Sequence, residues 1–256
     1  MVSALDGGSS AADPAKAPLR LRVHHRVPRD DLALGLVRVH GVSSGPAPAS
    51  LSSALDERVE ARRVDPPPSQ AERHRQGSRA MLKNGRYRAT GRGKPASEYL
   101  LREASEGSFP RLSGPVDACN LVSLSELVPI SLWDLELAAH LCGGSHELEV
   151  RLGRTDERYV FNAAGQSLEL ADLVCGCALD PGGGSRPIVT PVKDSLATKL
   201  NERSTALGGC IYYPLAQGSR ELLASICEAF LRWLLLCGEG AEGAFAIALP
   251  GETVEL

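Results

Sequence analysis

Residues 115–137, PVDACNLVSLSELVPISLWDLEL, carry the reading on which the fold turns. The stretch reads as a turn, a short helix, an extended proline-marked segment and the start of a second helix. Pro115 suits the first turn of a helix, where its missing N–H costs nothing. Val116, Cys119, Leu121, Val122 and Leu124 supply an apolar side. Pro129 lacks a backbone donor and biases Val128 to extended geometry, so the helix is expected to stop before it. Ser131 and Asp134 flank Leu132-Trp133, and either suits a cap for the second helix. Asp117 and Asn120 are the two polar side chains among the first eight residues able to meet a ligand with directional hydrogen bonds. An Asn in an apolar turn is costly to bury unless its amide is satisfied.

Upstream, residues 19–25 (LRLRVHH) alternate with the period of a half-buried strand, and residues 32–42 hold a second, giving an N-terminal β layer. His24, His25 and His40 lie on these strands and are expected at the surface. Residues 51–64 have helical spacing at Leu51, Leu55 and Val59, and residues 97–106 read as a helix ended by Gly107 and Pro110. Downstream, strands are expected at 148–152, 158–161, 187–192, 208–213 and 245–249. Residues 220–237 are the strongest helix, with Leu222, Leu223, Ile226, Phe230, Trp233, Leu234 and Cys237 on one face. Strands and helices do not alternate regularly, which predicts an α+β fold of layered mixed β-sheets with packed helices and a long C-terminal helix. Residues 1–16, rich in Gly, Ser, Ala and Asp, are expected to be a disordered tail. Residues 17–238 then form the domain and 239–256 a C-terminal extension.

Hydrophobic content of 43% and charged content of 23% are ordinary for a globular chain of 256 residues. Aromatics make up only 4%, too few for a broad base-stacking platform. The net charge of −3 hides an asymmetry. Residues 1–94 hold 17 Lys and Arg against 9 Asp and Glu, whereas residues 95–256 hold 11 against 22. The basic excess concentrates in 70–95, where Arg73, Arg75, Arg79, Lys83, Arg86, Arg88, Arg92 and Lys94 come after Glu72 with no acid interspersed. This run is either a solvated helix face continuing into a loop or an arm that contacts phosphates. Most of the seven Cys sit in apolar runs and are expected to be buried thiols. Cys175 and Cys177 form a C-x-C that lacks two further zinc ligands, so no metal site is expected. The start has no signal-peptide core, and the longest apolar run, 230–237, is too short for a bilayer and contains Arg232. A cytoplasmic location with no membrane partner is therefore expected.

No phosphate-cradling glycine motif, no G-x-S-x-G and no H-E-x-x-H occurs. The polar cluster of note is Lys193-Asp194-Ser195 with Thr198-Lys199, directly after a short apolar strand. Lys offers a cation, Asp an acceptor for an amine, and Ser and Thr donors, a set that suits a small polar ligand at a strand end. The structural alternative is a helix start capped by Asp194 or Ser195.

The pattern V-D-x-x-N-x-V-x-L from Val116, then Pro129-Ile130 and Asp134-Leu135, resembles the B3/B4 domain of bacterial phenylalanyl-tRNA synthetase β subunits, and more closely the stand-alone proteins built from that domain. The likeness extends through Lys94-Pro95-Ala96-Ser97-Glu98 and Leu100-Leu101-Arg102 upstream, and through residues 191–195, Thr198 and Lys199 downstream. It implies a layered α+β domain and a small pocket for an amino-acid moiety. It also implies tRNA or aminoacyl-tRNA as partner and hydrolysis by water of the ester joining a wrong amino acid to tRNA, without cofactor or metal. Asn120, Ser131, Lys193, Asp194, Ser195, Thr198 and Lys199 are the substrate-binding candidates, and Arg79, Lys83, Arg86, Arg88 and Arg92 the RNA-binding ones. The sequence departs from the synthetase pattern in three places. Cys119 precedes Asn120 where the family has Thr, Ser131 stands where it has His, and residues 209–213 hold no acid where it has Glu. Two readings result: a trans-editing aminoacyl-tRNA deacylase with unassigned catalytic residues, or a non-catalytic RNA- or amino-acid-binding module.

Overall fold

The computed structural model describes residues 20–256; the expected tail at 1–16 and the first residue of the expected first strand, Leu19, lie outside them. Strands β1 (Arg22–His25) and β2 (Leu32–His40) precede helices α1 (Ala49–Val64), α2 (Ser69–Met81), α3 (Ala96–Glu106) and α4 (Gly114–Glu126). Then come β3 (Ile130–Asp134), α5 (Leu135–Leu141), β4 (Glu147–Leu152), β5 (Arg158–Val160), β6 (Ser167–Glu169), β7 (Val174–Leu179) and β8 (Ser185–Val189). The chain closes with β9 (Ala206–Pro214), α6 (Arg220–Leu235), β10 (Glu242–Ala248) and β11 (Thr253–Glu255). The fold is α+β, as its irregular alternation of strands and helices predicts.

Two sheets carry the architecture. One has the order β11-β1-β4-β7-β8, the other β10-β2-β9-β3, and β5 pairs with β6 as a small hairpin. In the first, β1 runs parallel to β4 and its other pairings are antiparallel. The period of two along β2 shows how the layers meet. Leu32, Leu34 and Leu36 join the core shared with Val23, Leu148, Val150 and Val174 of the first sheet. Ala33, Val37 and Val39 join a second core with Leu51 and Leu55 of α1, Leu121 and Val122 of α4, and Leu223, Ile226 and Phe230 of α6. The four-stranded sheet is thus covered on both faces, which is why β2 and β9 read as near-continuous apolar runs. Each large side chain so buried contributes roughly 1.5–3 kcal/mol.

Two adjacent glycines set the spacing of these layers. A Cβ on Gly208 would lie 2.3 Å from the Trp133 ring, and one on Gly209 would lie 2.8 Å from Phe230. Consecutive strand residues face opposite sides, so one glycine admits the β3 tryptophan and the next admits the α6 phenylalanine.

Three expectations change. Residues 130–134, expected as an extended segment before a helix capped by Ser131 or Asp134, form a strand that pairs with β9 and runs directly into α5. Asp134 caps α5 by accepting from Leu137 N at 2.9 Å, whereas Ser131 caps nothing. Pro129 forces extended backbone, and once extended the apolar run Ile130–Trp133 pairs as an edge strand. Residues 239–256 are not an extension: β10 pairs with β2 over seven residues and β11 pairs with β1, so this segment supplies an edge to each sheet. His25 is fully buried, its Nε2 hydrogen-bonding Leu32 O at 2.9 Å while Nδ1 meets Val27 N at 3.4 Å. It is a satisfied core histidine, not a surface one.

Candidate binding groove

Helix α4 presents the site. Pro115 sits in its first turn and Glu126 is its last residue, as Pro129 requires. Leu127 ends it in the left-handed region at φ 52°, a strained position for a branched side chain worth about 1–2 kcal/mol. Asp117 is buried and accepts from Leu112 N at 3.1 Å, with Arg111 at 3.9 Å, so it holds the entry to the helix and does not meet solvent. Asn120 projects outward, half-buried, and its amide has no hydrogen-bond partner among the described residues.

Asn120, Cys119 and Ile130 form the shared wall of a two-lobed groove. The smaller lobe, about 250 Å³, is closed by Ala96, Tyr99 and Leu100 of α3 with Val192 and Lys193. The larger, about 500 Å³, runs past Leu132, Asp194, Lys199 and Glu202. Other clefts are of comparable size or larger: about 570 Å³ between α1, α4 and α6, about 640 Å³ beside Glu149 and Asp180, and about 440 Å³ beside Arg22 and His146. None of them contains a sequence-predicted site residue. The two-lobed groove is the one where unpartnered polar groups and a displaced acid converge, the combination that marks a binding site.

Asp194 is the pivot of this groove. Its Oδ1 accepts from Ser131 Oγ at 2.7 Å and Thr190 N at 3.2 Å, and its Oδ2 accepts from Leu132 N at 3.3 Å. Leu132 lies on the outer edge of β3, so the carboxylate takes the place of a neighbouring strand there. Burial pushes the Asp194 carboxyl up to about 6, against the pull of these three donors and of Lys199. Although protein surrounds the carboxylate, the residue keeps a partly exposed surface at the groove floor.

The turn that carries Asp194 is fixed by a second network. Thr190 Oγ1 donates to Lys193 O at 2.8 Å and accepts from Lys193 N at 3.1 Å. Tyr159 of β5 donates to the same carbonyl at 2.5 Å. Ser131 also lies 3.3 Å from the buried Tyr212 hydroxyl. The turn is therefore pinned by β3 of the four-stranded sheet and by Tyr159 of the β5–β6 hairpin.

Of the seven substrate-binding candidates, Asn120, Lys193, Asp194 and Lys199 line the groove. Ser131, Ser195 and Thr198 do not: they are buried. The alternation along β3 explains the first, since Ile130 and Leu132 face the groove and Ser131 faces the interior. Ser195 caps the short turn Leu196–Thr198 by accepting from Ala197 N at 3.3 Å, which matches the structural alternative for that residue. Tyr99 and Leu100 were missed as lining residues. Leu100 belongs to the Leu100-Leu101-Arg102 segment of the resemblance, and the signal for Tyr99 is its place between that segment and Glu98.

Lys193 Nζ lies 4.0 Å from the Phe161 ring centroid and 5.9 Å from that of Tyr99. Desolvation, Arg92 and Lys199 all lower its pKa. Lys199 Nζ donates to Phe161 O at 2.6 Å.

The basic run divides. Arg79 lies on α2 and makes a two-pronged ion pair with Glu98 of α3, whose side chain is 8% exposed. Arg75 pairs with Glu72 at 2.6 Å and Glu98 at 3.5 Å. Arg79 is thus a helix-to-helix strut, because the fold brings it an acid from outside the run. Lys83, Arg86, Arg88 and Arg92 are exposed in the connection between α2 and α3. Arg88 donates to the carbonyls of Gly85 and Tyr87, both at 2.8 Å.

All seven Cys are free and buried. Among the described residues no cluster of three or more His, Cys, Asp or Glu is placed to hold a metal ion, and no helix is long and apolar enough to cross a membrane. No protein-family model matches the chain, and no curated protein matches it.

Proposed function

We propose that the chain is a tRNA-associated protein of the B3/B4 kind, whose groove receives the aminoacyl end of a mischarged tRNA. The observation that carries this reading is the meeting of Asn120 of α4 with Lys193, Asp194 and Lys199 of the segment after β8 around one groove. The Asp194 carboxylate suits the α-ammonium of an aminoacyl ester, and the Asn120 amide suits its carbonyl or ribose oxygens. Hydrolysis adds water to the ester carbonyl carbon and breaks its bond to the ribose oxygen, which leaves with a proton.

A second reading, capture without cleavage, is favoured by one feature. The carboxylate of Asp194 already accepts three hydrogen bonds, an arrangement better suited to holding a cation than to relaying a proton.

Incubation of the purified protein with a panel of mischarged tRNAs, with amino-acid release and binding both measured, tests the two readings. Release identifies a deacylase; retention without release identifies a capture module. Neither release nor binding across the panel removes the reading.

A further inference from the structure

The smaller lobe contains a cation with no counter-charge. Lys193 lines it, and among the described residues no carboxylate pairs with the ammonium. Arg92 and Lys199, both positive, act on it and lower its pKa further. Its contact with Phe161 is worth about 0.5–2 kcal/mol and leaves its N–H donors unused. The Asn120 amide lines the same lobe, also unpartnered among the described residues, with two further donors. The rest of the wall is mostly apolar, with Leu100, Ile130, Val192 and the Tyr99 ring, and its one further hydroxyl, Ser123, already donates to Val128 O at 2.7 Å. Apolar walls, one uncompensated ammonium and one free amide are a recognition set for a short aliphatic chain ending in a carboxylate.

We propose that this lobe selects an acyl group whose side chain carries a carboxylate, an acidic amino acid, while Asp194 in the larger lobe holds its α-ammonium. The inference rests on the aminoacyl reading above. Lys193 and Asp194 are of opposite sign and consecutive in the chain, with Lys199 and Glu202 further along the larger lobe, so one ligand bearing both an ammonium and an anion bridges the first two. A neutral side chain of the same shape strands Lys193 and Asn120 against apolar surface, and such unpaired donors discriminate far more strongly than a missing methylene does.

The test uses the full chain and stable adenosine analogues in which a 3′ amide replaces the ester, carrying glutamyl, glutaminyl, leucyl or lysyl groups, with calorimetry as readout. The glutamyl analogue is expected to bind at least tenfold more tightly than the glutaminyl one. Lys193→Gln should erase that ratio, and Lys193→Glu should reverse it in favour of the lysyl analogue. Asn120→Asp, a change on a different element, should weaken the glutamyl analogue more than the other three. Thermal unfolding of each variant shows that it is folded. Equal binding of glutamyl, glutaminyl and leucyl analogues overturns the inference and leaves the aminoacyl reading standing. Absence of binding by all four removes both.

Discussion

The Ser131 hydroxyl donates to Asp194 Oδ1 at 2.7 Å, tying the edge strand β3 to the turn after β8. That bond favours the charged carboxylate. In Ser131→Ala the Asp194 pKa is therefore expected to climb above its present value of about 6. The variant should also lose about 1–3 kcal/mol of stability, because a buried acceptor loses a donor. Carboxyl NMR titration beside thermal unfolding measures both. An Asp194 titration unmoved by the substitution rules out a tuning role for the hydroxyl.

The raised Asp194 pKa also sets a pH dependence. Its folded value is about 6 against an ordinary 3.8, so the fold favours the protonated form. Asp194 therefore stabilises the fold least when ionised. Its favourable contribution, present at acidic pH, fades as pH rises through 6. Binding of an ammonium-bearing ligand runs the other way: affinity should be flat above pH 7 and fall toward tenfold per pH unit below 6, as the carboxylate is neutralised. Calorimetry with an aminoacyl-adenosine amide from pH 5 to 8 tests this. The slope should vanish in Asp194→Asn, and a slope that persists there assigns the titration to another group.

Legibility in the sequence tracked the reach of each signal. Helix α4 and its stop were legible because Pro115 and Pro129 act on their own neighbours, whatever the fold. The extended geometry after Pro129 was legible too, but its pairing as the strand β3 was not, since β9 lies about 75 residues on and only the fold brings it alongside. The apolar strand β10 was legible, but its place on an edge of the four-stranded sheet was not, because strand order is a non-local property. The same limit governs the site. Residue type singled out Lys193 and Asp194, yet Ser131 and Ser195, equally polar, turned inward through strand alternation and local capping. The pairing of Arg79 with Glu98 joins two helices, and a charge run read along the chain cannot show it.

Asn120 is half-buried with an unpartnered amide, so its removal strands no buried group. Asn120→Ala should change stability by no more than about 0.5 kcal/mol. It should weaken an aminoacyl-adenosine amide by about tenfold, the worth of one hydrogen bond of about 1.4 kcal/mol. Thermal unfolding paired with calorimetry separates the two effects. A large loss of stability with unchanged affinity per folded molecule would return Asn120 to a structural role.

The basic residues divide into a strut and a surface, and mutation should divide them the same way. Arg79→Gln removes a partner from the largely buried Glu98, although Arg75 remains 3.5 Å away. Its expected cost is about 1–3 kcal/mol of stability. Lys83, Arg86 and Arg88 are exposed, and changing all three to Gln should leave stability within about 0.5 kcal/mol. If these three contact tRNA phosphates, the triple variant should bind tRNA more weakly and with a flatter dependence on salt, since each neutralised phosphate releases about one counterion. Screening confines such attraction to about 8 Å at physiological salt, so residues that do not approach the backbone add little to the slope. Arg79→Gln should therefore lower the unfolding temperature and leave the salt slope unchanged, while the triple variant does the reverse. Filter binding from about 50 to about 200 mM salt decides the matter. A triple variant whose slope matches that of the unaltered protein assigns these cations to solvent, and the phosphate contacts, if tRNA still binds, to Arg92 and Lys199 beside the groove.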